Sequence, residues 1–191
     1  MNTDDSRVIE RSLTAPEAFT TLYDRHAAAI HRYATFRLGD DHADDIVAET
    51  FLVAFRKRQR YDRDRADARP WLYGIASNLI SKHRRFEARS YRMLARIGQD
   101  PVAESYADRI EARVSAESWR RPLAEALARL SARDRDVLLL TAWADLSYEE
   151  TARALAIPVG TVRSRLNRAR KQMRKALGDA PTVLQEAATH G

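Results

Sequence analysis

Between Ser147 and Leu177 the chain reads SYEETARALAIPVGTVRSRLNRARKQMRKAL, and this stretch constrains the fold more than any other. Ser147 followed three residues later by Glu150 forms a capping box, in which each side chain satisfies a backbone N–H left open at a helix start. Ala152, Leu155 and Ala156 supply a small apolar face for that short helix. Pro158 cannot continue it, and Gly160 suits a tight turn. Thr161 is then a good N-cap for a second helix, in which Val162, Leu166, Ala169, Met173 and Leu177 recur at helical period. The pattern predicts a helix-turn-helix with one buried stripe on its second helix.

The opposite side of that helix carries Arg163, Ser164, Asn167, Arg168 and Lys171, and no acidic residue lies between Thr161 and Leu177. In a helix-turn-helix the first turns of the second helix enter the major groove. There arginine pairs with guanine and asparagine with adenine. A basic helix can also be a plain solvated face, but the cap and turn ahead of this one favour nucleic acid. The whole chain agrees: its 191 residues are 31% charged with a net charge of +6, a balance that favours an anionic partner.

Other bulk features narrow the class. The N-terminal MNTDDSRVIERS is polar and acidic, unlike a signal peptide, and runs such as Val137–Leu140 are too short to span a bilayer. No membrane insertion is expected. Without cysteine there is no disulfide, thiolate nucleophile or thiolate metal site, and a reducing cytoplasm suits the chain. His26 and His31 are five apart and do not share a helix face, and His83 and His190 lack carboxylates at ligand spacing. The Asp40, Asp41, Asp44, Asp45 cluster lacks the spacing of a calcium loop. Neither catalysis nor a metal or cofactor is expected.

Along the chain, strand signals are nearly absent. Thr14 and Glu17 suggest a second capping box, ahead of a helix facing inward through Phe19, Leu22, Tyr23, His26, Ile30 and Tyr33, with Gly39 at its end. The next helix spans 41–58, with Ile46, Val47, Phe51, Ala54 and Phe55 inward. A charged loop covers 60–69, and a helix restarted by Pro70 runs to about residue 89 with Leu72, Ile75, Ala76, Leu79 and Ile80 inward. After a weakly patterned acidic stretch at 96–118, a second compact unit covers 119–178. Leu123, Leu127 and Leu130 form one of its helix faces, and Ser131 and Asp134 open a helix carrying Val137, Leu138, Leu140 and Trp143. Residues 179–191 read as a flexible tail. The expectation is an all-α chain of two small helical domains, 1–95 and 119–178, joined by a linker, the second domain being a helix-turn-helix.

Two further stripes lie in the first domain. Asn78, Lys82, Arg85 and Arg89 share a helix face, with Arg84 alongside, behind the aromatics Tyr61, Trp71 and Tyr73. Aromatics among basic residues can hold single-stranded DNA by stacking and phosphate contact, although each aromatic alone also suits a core. Asp45, Glu49, Leu52 and Arg56, at i, i+4, i+7 and i+11, oppose the apolar face of their helix. Asp44 and Asp45 in the first turn also complement a helix dipole, but an exposed Leu52 among the acids favours a protein-docking face.

Three blocks in order, DDIVAETFLVAFRKR, RPWLYGIASNLISKHRR and LSARDRDVLLLTAWADLSYEETARALAIPVGTVRSRLNRAR, resemble the bacterial RNA polymerase sigma factors, in particular the short two-domain extracytoplasmic-function (ECF) group. The resemblance covers about residues 18–177. It implies a promoter-specificity subunit that binds core RNA polymerase, recognises −10 and −35 promoter elements and nucleates melting. It implies that Asp45, Ala48, Glu49 and Leu52 dock on the largest polymerase subunit, with Ala48 standing where the family often has glutamine. It implies that the 61–68 loop and Asn78 hold a flipped −10 base, with Tyr61, Trp71, Lys82 and Arg85 beside them. Arg163, Ser164, Asn167, Arg168 and Lys171 would read the −35 element, Asn167 standing where relatives often carry an aromatic. The acidic linker would thread the polymerase cleft, and an anti-sigma factor is an implied partner. The alternatives are a helix-turn-helix regulator, which would not need the first domain, and a sigma mimic that sequesters an anti-sigma factor, which would not need the basic DNA-reading residues.

Overall fold

The computed structural model describes residues 4–96 and 120–177, with side chains for 4–84, 123 and 125–177. Among the described residues there is no strand. The predicted linker at 96–118, except Arg96, and the tail at 179–191 lie outside them, as do the side chain of Arg85 and Gly178. The chain divides into two compact units, the first built on residues 1–89.

The first unit opens with a short helix that no periodicity in the sequence announces. Helix α1 (Asp5–Arg11) is capped by Asp4, whose carboxylate accepts the Ser6 N–H at 2.9 Å. Its Ile9 is fully buried, and the Ser12 hydroxyl closes its end by donating to the Ile9 carbonyl at 2.6 Å. Thr14 does not form the expected capping box: its hydroxyl donates backward to the Arg11 carbonyl at 3.2 Å, and the following 3-10 turn, Pro16–Phe19, has no side-chain cap. Competition from the preceding helix end is the physical reason: the Arg11 carbonyl, which also accepts the Thr14 and Ala15 N–H groups, draws the hydroxyl into a local bond.

Helix α2 (Thr20–Leu38) buries Leu22, Ile30, Tyr33 and Ala34 and ends at Gly39, whose φ of 84° only glycine adopts at little cost. Tyr23, expected inward, is 46% exposed, with its ring edge-on to Phe51 at 4.9 Å. Helix α3 (Ala43–Lys57) packs on α2. It buries Ile46, Val47, Thr50, Phe51 and Ala54 on one side. Helix α4 (Arg69–Arg96) buries Leu72, Tyr73, Ala76 and Ile80, and Tyr33 meets Tyr73 edge-to-face at 5.3 Å. The Tyr33 hydroxyl lies 2.9 Å from Ser77 Oγ and accepts from the buried Arg37 guanidinium at 2.7 Å. Arg84, which the sequence placed beside the basic stripe, reaches from α4 to donate to the Arg37 carbonyl at 2.8 Å and so satisfies the last turn of α2.

The second unit repeats that device. Helix α5 (Arg120–Arg129) ends against helix α6 (Ala132–Ala142), and the buried Arg135 of α6 donates to the carbonyls of Leu127, Ala128 and Leu130 at 2.8, 3.0 and 3.0 Å. Three C-terminal acceptors are thus satisfied by one guanidinium. Helix α6 starts as expected, with the Asp134 N–H donating to the Ser131 hydroxyl at 3.1 Å. Leu127 and Leu130 are buried, but Leu123 is 38% exposed and Trp143 40% exposed. Leu123 lies in the first turn of α5, and Trp143 stands just past the end of α6.

Candidate nucleic-acid and polymerase interfaces

The helix-turn-helix comprises α7 (Tyr148–Leu155) and α8 (Val159–Leu177). Its capping box is fully formed: the Glu150 N–H donates to Ser147 Oγ at 3.2 Å, and the Ser147 N–H donates to the Glu150 carboxylate at 2.8 Å. The turn is made differently from the expectation. Ala156 takes the left-handed conformation, φ 51°, and is exposed rather than part of an apolar face. The Ile157 N–H then closes back on the Ala152 carbonyl at 3.0 Å. Gly160 and Thr161 lie inside α8. Pro158 takes the cap position instead, its carbonyl accepting the Thr161 and Val162 N–H groups at 2.9 and 3.1 Å. Proline suits the place because it brings no N–H of its own to satisfy there.

From that start the period of α8 sorts its residues. Val162, Leu166, Ala169 and Met173 are buried, and α8 packs on α5 and α6. Arg163, Ser164, Asn167, Arg168 and Lys171 are exposed. The Ser164 hydroxyl donates to the Thr161 carbonyl at 3.1 Å. Arg168 differs from the others in being held: its Nη1 lies 3.4 Å from both carboxylate oxygens of Asp134, a residue only 2% exposed. The sequence showed Arg168 as a free basic group and did not connect it to Asp134, 34 positions earlier.

In the first unit, Asp45, Ala48, Glu49 and Leu52 share the solvent side of α3, opposite its buried face. Leu52, the apolar residue amid the acids, is 47% exposed among the described residues. Asp44, beside them, sits 3.3 Å from the imidazole of His31.

The 61–68 loop is tied by polar bonds. Tyr61, expected to present its ring, is 8% exposed; it packs against Trp71 at 4.9 Å between ring centroids and donates its hydroxyl to the Arg65 carbonyl at 2.8 Å. Burial, with Asp5 and Asp67 nearby, pushes its phenol well above the ordinary range. Tyr61 therefore braces the loop from inside, and Trp71 is half-buried against it. Asp67 accepts both the N–H and the Nε of Arg69 at 2.8 Å, capping α4. Residues 62–66 of the loop are exposed, as are Asn78 and Lys82, one turn apart on α4. Asp5 of α1 accepts the Ala68 N–H, a contact no sequence signal pointed to.

Among the described residues, no helix is long and apolar enough to cross a membrane, and no cluster of three His, Asp or Glu side chains could hold a metal ion.

Comparison with known proteins supplies the frame. Residues 22–90 match the family model of sigma-70 region 2, and residues 120–173 match that of sigma-70 region 4. The RNA polymerase sigma factor NccH of Alcaligenes xylosoxydans xylosoxydans is 32% identical over 158 residues, 82% of this chain and 84% of that one. The ECF RNA polymerase sigma factor SigL of Mycobacterium tuberculosis is 36% identical over 158 residues, 82% of this chain and 86% of that one. Among solved structures, CnrH in complex with the cytosolic domain of CnrY aligns with a TM-score of 0.66 at 26% identity, covering 93% of this chain and 99% of that one. The two matched regions, and identity sustained over most of both relatives, show that the chain belongs to the sigma-70 family of RNA polymerase sigma factors, in its ECF group, and is a promoter-recognising sigma subunit.

Proposed function

We propose the following division of labour among its residues. Asp45, Ala48, Glu49 and Leu52 dock the first unit on core RNA polymerase. The 61–68 loop, Asn78, Lys82 and Arg85 receive the −10 element and stabilise its opening, with Tyr61 and Trp71 holding the loop from behind. Arg163, Ser164, Asn167 and Lys171 read the −35 element, and Arg168 adds a contact whose direction Asp134 sets. The chain acts in the cytoplasm as an initiation factor, without chemistry of its own, and an anti-sigma factor controls its access to polymerase. The last point is supported by the likeness to CnrH, solved with the cytosolic domain of CnrY.

The observation that carries this reading is the two-sidedness of α8. Four buried residues, Val162, Leu166, Ala169 and Met173, face one way, and the exposed Arg163, Ser164, Asn167 and Lys171 face the other, behind a formed capping box. Only the exposed set is free to meet base edges, and its donors match the groups the major groove displays.

Run-off transcription with core polymerase and a panel of genomic fragments tests it. The wild-type chain is expected to direct initiation at a subset of fragments sharing two spaced elements; transcription no different from core polymerase alone would overturn it. Reversing the charge of both Asp45 and Glu49 should abolish co-purification with core. Both side chains are exposed, so stability should move by no more than about 0.5 kcal/mol.

A further inference from the structure

The loop assigned to the −10 element has almost no apolar anchorage. Asp62, Arg63, Asp64, Arg65 and Ala66 are all exposed, and only Tyr61 and Ala68 at its ends are buried. Its path must therefore be set by polar bonds. Four are internal: Tyr61 Oη to the Arg65 carbonyl, the Asp64 N–H to the Asp62 carboxylate at 3.2 Å, and the Arg65 N–H and Nε to the Asp62 carbonyl and carboxylate at 3.1 and 3.2 Å. From outside the loop, Glu10 of α1 pairs with the exposed Arg63 at 3.5 Å and Arg69 of α4 donates to Asp67, while the main chain at 66–68 is held by Asp5 of α1. The Asp5 N–H donates to the Ala66 carbonyl at 2.8 Å, and Asp5 Oδ2 accepts the Ala68 N–H at 3.1 Å. The same carboxylate is held by α2, with Arg25 Nη1 at 2.9 Å from Oδ1 and His26 Nε2 at 2.8 Å from Oδ2. Its side chain is 7% exposed. Burial opposes its charge, but the bonds from His26, the Ala68 N–H and Arg25 outweigh burial and hold the carboxyl below the ordinary carboxylate range. A buried, charged group with every oxygen engaged is a stiff fixture.

We propose that Asp5 is a positioning residue for −10 recognition: together with Arg25 and His26 it fixes the 61–68 loop in the conformation that accepts promoter DNA. The proposal rests on the reading of that loop given above. An exposed loop that is not held samples many conformations, and each must be given up on binding. Fixing its C-terminal end in advance removes that cost from the DNA-binding step. Asp5 bonds to α2 and the loop, so its effect should fall on −10 binding and spare both the α3 stripe and α8.

The test uses the full chain assembled with core polymerase. The probe is a fluorescent single strand bearing the non-template −10 element of a promoter that the wild-type holoenzyme transcribes. Asp5→Ala should weaken binding of this probe by about tenfold, as expected for loss of buried charge-assisted hydrogen bonds. Asp5→Asn should lose less, because an amide oxygen can still accept from Ala68. Hydrogen exchange at Ala68 should quicken in both, while affinity for core and for a −35 duplex stays at the wild-type level. Wild-type probe affinity in both variants would overturn the proposal. So would equal losses toward probe, core and −35 duplex, the signature of a general fold stabiliser. Should Asp5→Ala fail to fold, Asp5→Asn decides alone by the same outcomes. A third variant, with Asp62, Arg63 and Asp64 all replaced by Ala, separates the two levels. If it binds the probe normally, the loop reading falls and the proposal with it; if it loses the probe while the Asp5 variants keep it, the proposal alone falls.

Discussion

Helix α8 and the 61–68 loop are both assigned to DNA, yet they are positioned by different parts of the chain. The start of α8 is set by Pro158, the residue before it, and its orientation by its own apolar period, Val162, Leu166, Ala169 and Met173. The C-terminal end of the loop is set by Asp5, 63 positions before the Ala68 N–H it accepts. The difference follows from what each must do. A recognition helix is a rigid rod whose side chains are aimed by its buried back. A pocket for an unstacked base needs exposed backbone, and exposed backbone has no core to hold it. Remote polar bonds then take over the role that burial plays in α8.

The strongest challenge to that contrast is Arg135→Met. The second unit looks locally specified, but its α5–α6 corner depends on one buried guanidinium that satisfies three carbonyls. Methionine fills similar volume, takes the guanidinium from the Ala128 and Leu130 carbonyls, and leaves Leu127 with the Leu130 N–H alone, at 3.2 Å. The expected loss is about 3 kcal/mol in urea unfolding of the second unit, with hydrogen exchange accelerated at the end of α5. A loss below about 1 kcal/mol would show that water replaces the guanidinium, and the corner would then be as local as α8 itself.

The same contrast explains what the sequence made legible. Helix types, the buried faces of α3, α4 and α8, the Ser131 and Ser147 caps and the Gly39 stop all follow from residues within a few positions of one another. So do the exposed stripe Asp45, Ala48, Glu49, Leu52 and the exposed set on α8. What was missed is either short or remote. Helix α1 has only seven residues, too few to show a period. For Arg84, Arg135 and Asp134, nothing local reveals which carbonyls or guanidinium they meet. For Tyr61 the sequence leaves stacking platform and core both open, and it is the loop's own Arg65 carbonyl that draws the hydroxyl inward. The turn of the helix-turn-helix was assigned to Gly160 on propensity, but the left-handed residue is Ala156, where the α7 chain end requires it.

A sharper test concerns Arg168. If its guanidinium reads a −35 base from the direction that Asp134 sets, Arg168→Ala should cost about 1–3 kcal/mol at one position of the element and relax specificity there. Arg174→Ala, one and a half turns on and exposed, should weaken binding evenly across sequences and lower the salt slope by about one unit. Identical base-preference profiles for the two variants would reduce Arg168 to a structural partner of Asp134. The buried carboxylate would then serve the fold alone.

The smallest expected effects come from the helix-turn-helix itself, and they decide how local its construction is. Ser147→Ala removes the acceptor for the Glu150 N–H, whose bond to Ser147 Oγ is 3.2 Å long and exposed, so about 1 kcal/mol should be lost. Ala156→Gly should act in the opposite sense. At φ 51° a Cβ crowds the backbone, and glycine relieves that strain. Glycine also frees the unfolded chain, which offsets part of the gain. The net should be a stabilisation of roughly 0.5 kcal/mol, read as a small rise in melting temperature with unchanged −35 affinity. If Ala156→Gly instead destabilises and also weakens −35 binding, the alanine methyl is supporting the turn. The angle between α7 and α8 would then depend on packing as much as on local backbone preference, and the contrast with the 61–68 loop would narrow.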